Sequence, residues 1–384
     1  MESKAGDIIT MKALVYSSHA RGDDRSAALS IIEKEAPMPE PGEVLVKILA
    51  FAINPVDVKL LENPLRGKPR LPHTPCLDFS GVIVNNDRVK DSRFTVGDIV
   101  MGMMPSFFED GCASTMVAVG EEYVVLIPRG FDPVKMASLP LVGSTVVQAL
   151  EPYLQRTQRA GECVRGKKIL ITGACGGVGS FAVQYGKLLG LHVTGTCSSG
   201  PHLSMVQTLG ADEVIDRSLD FTMNDKAQGM DVVLDAFSYA NRAAILRSEC
   251  GVLAPSAHYI DIASSPHRLE SPDPLRLCIP EAAAPNLINA LFLRMWTAVT
   301  NVYERLLGRS IRSWTYLGPT FVRASGVTLR TVRKLAAQGR VKPVIDKTFP
   351  FTEAGCRAAF DRVSSGHCGG KVVVVIRPEA RGSR

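Results

Sequence analysis

The run with the clearest chemical potential is Gly173-Ala174-Cys175-Gly176-Gly177-Val178-Gly179. It follows a short apolar stretch, Lys168–Thr172, and leads into residues suited to a helix, Val178–Leu189. A strand that feeds a helix through glycines lets backbone N–H groups approach a phosphate closely, and the helix N-terminus adds partial positive charge. The ligand such a turn suits is a dinucleotide. Glycines alone are a weak signal, and the flanking strand and helix make this one specific. The next strand, His192–Cys197, should end beside the adenosine ribose. NAD sites place Asp or Glu there, about 20 residues past the glycines. This chain has Cys197-Ser198-Ser199 instead. Two hydroxyls and no carboxylate suit a 2′-phosphate, with His202 and Arg217 as the nearest cations, so NADPH is the expected cofactor. The alternative is a solvated loop with polar filler.

The elements that must position this turn fall into contrasting blocks. Around it, strands at Lys168–Thr172, His192–Cys197, Glu213–Asp216, Asp231–Asp235 and within Gly251–Ile262 alternate with helices at Val178–Leu189 and Ser204–Leu209. That alternation means a parallel, doubly wound sheet. The first third is β-rich instead, with strand-length runs at Lys12–Tyr16, Val44–Phe51, Gly81–Asn85, Asp98–Gly102, Ser114–Val119 and Tyr123–Ile127. Helix is expected there only after Asn54 and around Met136–Leu150, so this part should be a compact, barrel-like β domain. Ser264–Gly318 is hard to read, although Ile288, Phe292, Met295, Val299, Val302 and Leu306 have amphipathic-helix spacing. Thr328–Gln338 reads as a helix. Val341–Phe351, Glu353–Ser365 and Lys371–Ile376 read as strand, helix and strand, the last able to return to the first domain.

Composition bounds the function. The 384 residues are 46% hydrophobic and 21% charged, which fits a globular protein with a sizeable core. A net charge of +6 on scattered lysines and arginines suits small anionic ligands and argues against nucleic acid. The nine cysteines stand singly, with no Cys-x-x-Cys pair. This disfavours a disulfide framework and a structural zinc lobe, and it makes a reducing, cytoplasmic setting the default. Met1–Thr10 lacks the apolar core of a signal peptide.

Further motifs occur in order. They are Asn54-Pro55-Val56-Asp57, Pro75-Cys76-Leu77-Asp78-Phe79-Ser80-Gly81, Phe94–Gly102, Leu139–Leu150, Leu209–Asp216 and Gly366-His367-Cys368-Gly369-Gly370-Lys371-Val372-Val373. From Met11 to Ile376 the sequence resembles the zinc-free quinone oxidoreductase branch of the medium-chain dehydrogenase/reductase superfamily. It is similar to the group containing chloroplast-envelope and mitochondrial reticulon-interacting quinone reductases. Cys76 stands where that pattern usually has glycine. Leu77-Asp78-Phe79 stands where zinc-dependent relatives have Gly-His-Glu, so no metal site is expected.

The resemblance implies an α/β protein, with a GroES-like β-barrel catalytic domain beside a Rossmann domain. Residues 1–10 would be a tail, 11–143 the first part of the catalytic domain, and 144–318 the Rossmann domain with an insertion around 264–318; residues 319–384 would return to the catalytic domain. It implies NADPH, a quinone or α,β-unsaturated carbonyl substrate, and a homodimer. By family position the catalytic candidates are Asn54, Asp57, Lys59 and Thr145. Asn54 would hold the substrate carbonyl, Lys59 would stabilise an enolate or relay a proton, and Thr145 would touch the nicotinamide or its ribose. Each has a plainer reading: a turn for Asn54, a helix cap for Asp57, a solvated surface for Lys59 and packing for Thr145. Carried-over cofactor contacts are Cys175, Gly176, Gly177, Val178, Ser198, Arg217 and His367-Cys368-Gly369, with Phe321 near the nicotinamide. Arg217 could equally be a surface charge. The other functional readings are an NADPH-binding scaffold or RNA binder, and a membrane-peripheral protein using the basic amphipathic stretch 287–312.

Overall fold

The computed structural model describes residues 9–20, 22, 25–62, 70–198, 200–237, 245, 251–262, 315–317 and 322–377. The chain forms two compact units, Met1–Ser144 with Arg323–Arg384 and Thr145–Val322.

In the first unit β1 (Thr10–Tyr16) and β2 (Leu29–Glu35) form an antiparallel ribbon. The main sheet is organised on β3 (Glu43–Ile53), long enough at 11 residues to pair with three neighbours. Its N-terminal half meets β6 (Met116–Gly120), its C-terminal end meets β15 (Lys371–Val375), and β4 (Asp78–Asn85) runs along most of its length. β5 (Ile99–Met103), β7 (Val124–Leu126) and β14 (Ile345–Pro350) complete the sheet, in the order β14-β15-β3-β4-β5-β7. The closing segment therefore does return to the first β block, through register such as Val372 opposite Ile53. Helix α1 (Pro55–Glu62) follows β3 directly.

The expected helix around Met136–Leu150 is two helices, α2 (Pro133–Met136) and α3 (Pro140–Arg159). Asp132 caps α2 by accepting the Val134 N–H, and Pro140 starts α3, where its missing N–H costs nothing. The expected strand from Val341 begins only at Ile345, because Pro343 cannot donate to a ladder.

The second unit is a six-stranded, wholly parallel sheet in the order β10-β9-β8-β11-β12-β13. Its strands are β8 (Lys168–Thr172), β9 (His192–Cys197), β10 (Glu213–Asp216), β11 (Met230–Asp235), β12 (Leu253–Asp261) and β13 (Thr315–Leu317). α4 (Gly177–Leu188) crosses from β8 to β9, and α5 (Pro201–Thr208) from β9 to β10. Leu170, Ile215, Phe221, Val233 and Tyr259 pack one core cluster. Strand order reverses between β8 and β11, and ligands of such sheets bind outside the carboxyl ends at that switch. The glycine turn leaves β8 there. Back in the first unit lie α6 (Gly326–Ala337) and α7 (Glu353–Ser364), each capped by a hydroxyl, Ser325 and Thr352.

Candidate functional site

The sequence builds the glycine turn without slack. Gly173 has φ +63°, a left-handed conformation that glycine adopts freely. A Cβ on Gly179 would lie 2.2 Å from the Gly173 carbonyl oxygen, so the helix packs on the turn only if residue 179 has no side chain. Gly176 is the N-cap of α4 and makes no side-chain capping bond. The first N–H groups of that helix have no acceptor within it. Together these leave a bare, partly positive helix N-terminus of the kind that takes a phosphate.

Next to this turn lie the groups expected at the adenosine end. Cys197 is buried at the end of β9. Ser198 Oγ lies 2.7 Å from His202 Nδ1. The Arg217 backbone donates to the Cys197 carbonyl at 2.9 Å. Its guanidinium is 3.8 Å from the centroid of the Phe237 ring, a cation–π stack. Phe237 also abuts Gly173, whose Cβ position is 3.2 Å from the Phe237 Cβ. Below them Asp235 accepts from Tyr259 Oη at 2.6 Å and from Thr172 Oγ1 at 2.5 Å. These bonds tie the carboxyl ends of β8, β11 and β12 together. Burial raises the Asp235 carboxyl above its usual range against the pull of those donors.

The first unit holds a second cluster, of buried polar side chains. Asn54 precedes α1, and its Nδ2 donates to Asp78 Oδ2 at 2.9 Å. Lys371 Nζ donates to the same oxygen at 2.9 Å and also to Asn54 Oδ1. The other Asp78 oxygen accepts the Leu141 N–H at 2.6 Å. The Lys371 and Asp78 side chains are only 5% and 0% exposed, so the two charges see each other rather than water. Asp57 lies beside them, accepting the Asn54 N–H at 2.7 Å and the Cys76 N–H at 3.2 Å. Burial pushes the Asp57 carboxyl up to about 7, while those N–H groups and the Lys371 ammonium pull the other way. Cys76 itself has φ +74°, a conformation a non-glycine residue adopts at a cost, and this backbone points its N–H at Asp57.

Several candidates sit differently from expectation. Asp57 is not the N-cap of α1; it stands three residues after Asn54 and closes back on that residue's N–H, half of a capping box. Lys59 is exposed on α1, because two residues further along a helix is about 200° round from the face Asp57 uses. The lysine that meets Asn54 is Lys371, inside the Gly366–Val373 motif, rather than Lys59. Its partner Asp78 lies inside the Pro75–Gly81 motif, and family position points to neither residue. Thr145 is buried on α3. The His367-Cys368-Gly369 loop belongs to the first unit and is fixed by the ion pair of Arg362 with Asp346 at 2.7 Å. Asp346 Oδ1 also accepts the Gly369 N–H, at 2.8 Å. Ser199, Phe321 and the stretch 287–312 lie outside the described residues. Among the described residues no three His, Cys, Asp or Glu side chains are grouped to hold a metal, and the seven described cysteines are free thiols. No described helix is long and apolar enough to cross a membrane.

Comparison with known proteins agrees with this layout. Residues 40–129 match the alcohol dehydrogenase GroES-like domain family, and residues 209–374 match the zinc-binding dehydrogenase family. The chain is 30% identical over 381 residues to the chloroplast envelope quinone oxidoreductase homolog of Arabidopsis thaliana, covering 95% of this chain and 98% of that one. It is 32% identical over 360 residues to the mitochondrial NAD(P)H oxidoreductase RTN4IP1 of Bos taurus, covering 87% and 82%. It is 26% identical over 382 residues to the trans-enoyl reductase pgmF of Aspergillus terreus, covering 96% of each. Among solved structures, the quinone oxidoreductase from Coxiella burnetii superposes with a TM-score of 0.73 at 20% identity, covering 96% and 100%.

Proposed function

Because the chain belongs to the quinone oxidoreductase branch of the medium-chain dehydrogenase/reductase superfamily, we propose that it is an NADPH-dependent reductase of quinones or α,β-unsaturated carbonyls that uses no zinc. The observation that carries this reading is the bare N-terminus of α4 at Gly173–Gly179, with Ser198, His202 and Arg217 next to it in place of an acid. When bound, NADPH would supply the hydride. Gly176, Gly177 and Val178 would hold its pyrophosphate through backbone N–H groups, as would Cys175. Ser198, His202 and Arg217 would receive the 2′-phosphate, and Thr145 the nicotinamide end.

Substrate chemistry is assigned to the first unit. An amide nitrogen has two N–H groups, and one of Asn54's is committed to Asp78. The second would donate to the oxygen on which negative charge builds as the substrate is reduced. A preorganised donor beside a fixed charge stabilises that oxygen with little reorganisation. Lys371 supplies the charge, in place of the exposed Lys59. Its ammonium already lies between Asn54 Oδ1 and Asp78 Oδ2, so a cation is built into this cluster and a metal is not needed there. The homodimer, the cytoplasmic setting and the division at residues 143/144 and 318/319 form part of the same proposal.

The test is steady-state oxidation of NADPH and NADH with a panel of ortho-quinones, para-quinones and alkenals. Turnover with NADPH preferred at least tenfold in kcat/KM is expected. Tight NADPH binding with no turnover on any acceptor would replace this reading with that of a binding scaffold.

A further inference from the structure

A small cavity in the first unit is lined by Tyr16, Asp57, His73, Thr74 and Cys76, with the more exposed Phe107 and Glu109 at its rim. Tyr16 is fully buried, and its phenolic oxygen has no hydrogen-bond partner among the described residues. Thr74, 1% exposed, has an unpartnered Oγ1 in the same lining. These groups are held firmly. The Tyr16 and His73 backbones exchange a pair of hydrogen bonds at 3.0 and 3.1 Å, and the Thr74 N–H donates to Asp110 at 3.0 Å. Their rings meet edge-on with centroids 5.3 Å apart. Buried hydroxyls without partners are costly; the cavity is mostly apolar in surface but has room for about one water, and Tyr16, Thr74 and Asp57 in its lining supply the two to four polar partners such a water needs.

We propose that this cavity binds one ordered water, which hydrogen-bonds Tyr16 Oη, Thr74 Oγ1 and the Asp57 carboxyl and exchanges protons between Asp57 and solvent at the Phe107–Glu109 rim. When Asp57 gives up its proton, the O–H bond breaks and the electron pair stays on the carboxylate. The water then passes one proton to that oxygen and takes one from the solvent side, so nothing is consumed. Both carboxylate oxygens already accept a backbone N–H, and each keeps a second lone pair for this contact. The groups that face Asp57 bear on its charge from every side. They are Tyr16 on β1, His73 and Cys76 on the segment before β4, Asp78 on β4, Cys112, Lys371 on β15, and the rim carboxylate Glu109. Burial holds Asp57 near 7 and His73 down at about 4, so in neutral solution the imidazole is uncharged and the carboxyl is poised to exchange. Asp57 is thereby a proton store one residue pair from Asn54. That use in reduction rests on the reductase reading above, whereas the water site does not.

The test is an infrared titration of the full-length protein without cofactor, with Asp57→Asn assigning the protonated carboxyl band. The wild-type band should titrate around neutrality. Tyr16→Phe removes a donor that stabilises the carboxylate through the water and should raise the midpoint by about one pH unit. Thr74→Val should move it the same way, and serves if Tyr16→Phe does not fold. Equal midpoints in wild type and both variants would overturn the proposal, as would a crystal structure showing the cavity dry. Loss of the reductase reading, by contrast, would appear as absent NADPH oxidation with this titration unchanged.

Discussion

Replacing Lys371 by methionine removes the ammonium while keeping most of the side chain's length, and leaves Asp78 as a carboxylate without its counter-charge. Both partners are buried, so water cannot take over the lost role. Breaking a buried pair by deleting one partner costs about 3–5 kcal/mol. For a domain of this size, each kcal/mol lowers Tm by about 2–4 °C, so Lys371→Met should melt about 6–20 °C below wild type. Asp78→Asn should be destabilised similarly, since it strands the ammonium. The double variant Asp78→Asn/Lys371→Met carries neither charge and should lose much less than the sum, with an interaction energy of about 2–4 kcal/mol. Urea unfolding followed by circular dichroism measures all four proteins. Lys34→Met is the control, because its pair with Asp110 is 30% and 51% exposed and should be worth less than about 1 kcal/mol. Additivity of the two single variants to within about 0.5 kcal/mol would refute the reasoning, because uncoupled sites add to that extent. So would a Lys371→Met cost no greater than that of Lys34→Met.

Arg217→Met should weaken NADPH but not NADH, narrowing their kcat/KM ratio by about tenfold, the worth of roughly one charge-assisted contact; an unchanged ratio would place the 2′-phosphate elsewhere. Gly179→Ala should abolish cofactor binding by calorimetry, since its Cβ would lie 2.2 Å from the Gly173 oxygen, and normal binding would show that the turn is slack. Cys76→Gly should be within about 1 kcal/mol of wild type, relief of the positive φ offsetting lost burial and added unfolded-state entropy. Cys76→Val should cost about 2–3 kcal/mol more in the same urea assay, because a β-branched residue tolerates φ +74° worst. Asp57 carries a raised carboxyl, so the stability it contributes is full below its unfolded value near 4 and is lost as pH rises through about 7. Asp57→Asn has one acceptor oxygen for two backbone N–H groups, so it should be less stable than wild type at about pH 4, with the gap narrowing as wild type loses stability up to about pH 7; parallel stability–pH curves would contradict that sign.

What could be read in the sequence, and what could not, follows from where the partners lie along the chain. The glycine turn is local: β8, the glycines and α4 are contiguous, and apolar period plus glycine placement display them directly. β15 shows itself as an unbroken valine run that only a strand buried on both faces would tolerate. β2 is missed because it pairs with β1 alone and ends Glu33-Lys34-Glu35, which reads as surface. Lys371 is missed for a stronger reason. Its partner Asp78 is 293 residues away, and neither residue hints at the other locally. The usable signal is a lysine opening a strand of four valines, since a charge in such a run must find a buried counter-charge or be expelled. By the same argument Lys59, in a helix with an outer face, was never forced inward. A charge that opens an apolar strand is therefore a better pointer to a buried partner than a charged residue near a motif, and the Asp78–Lys371 coupling energy measures how strongly that partner holds it.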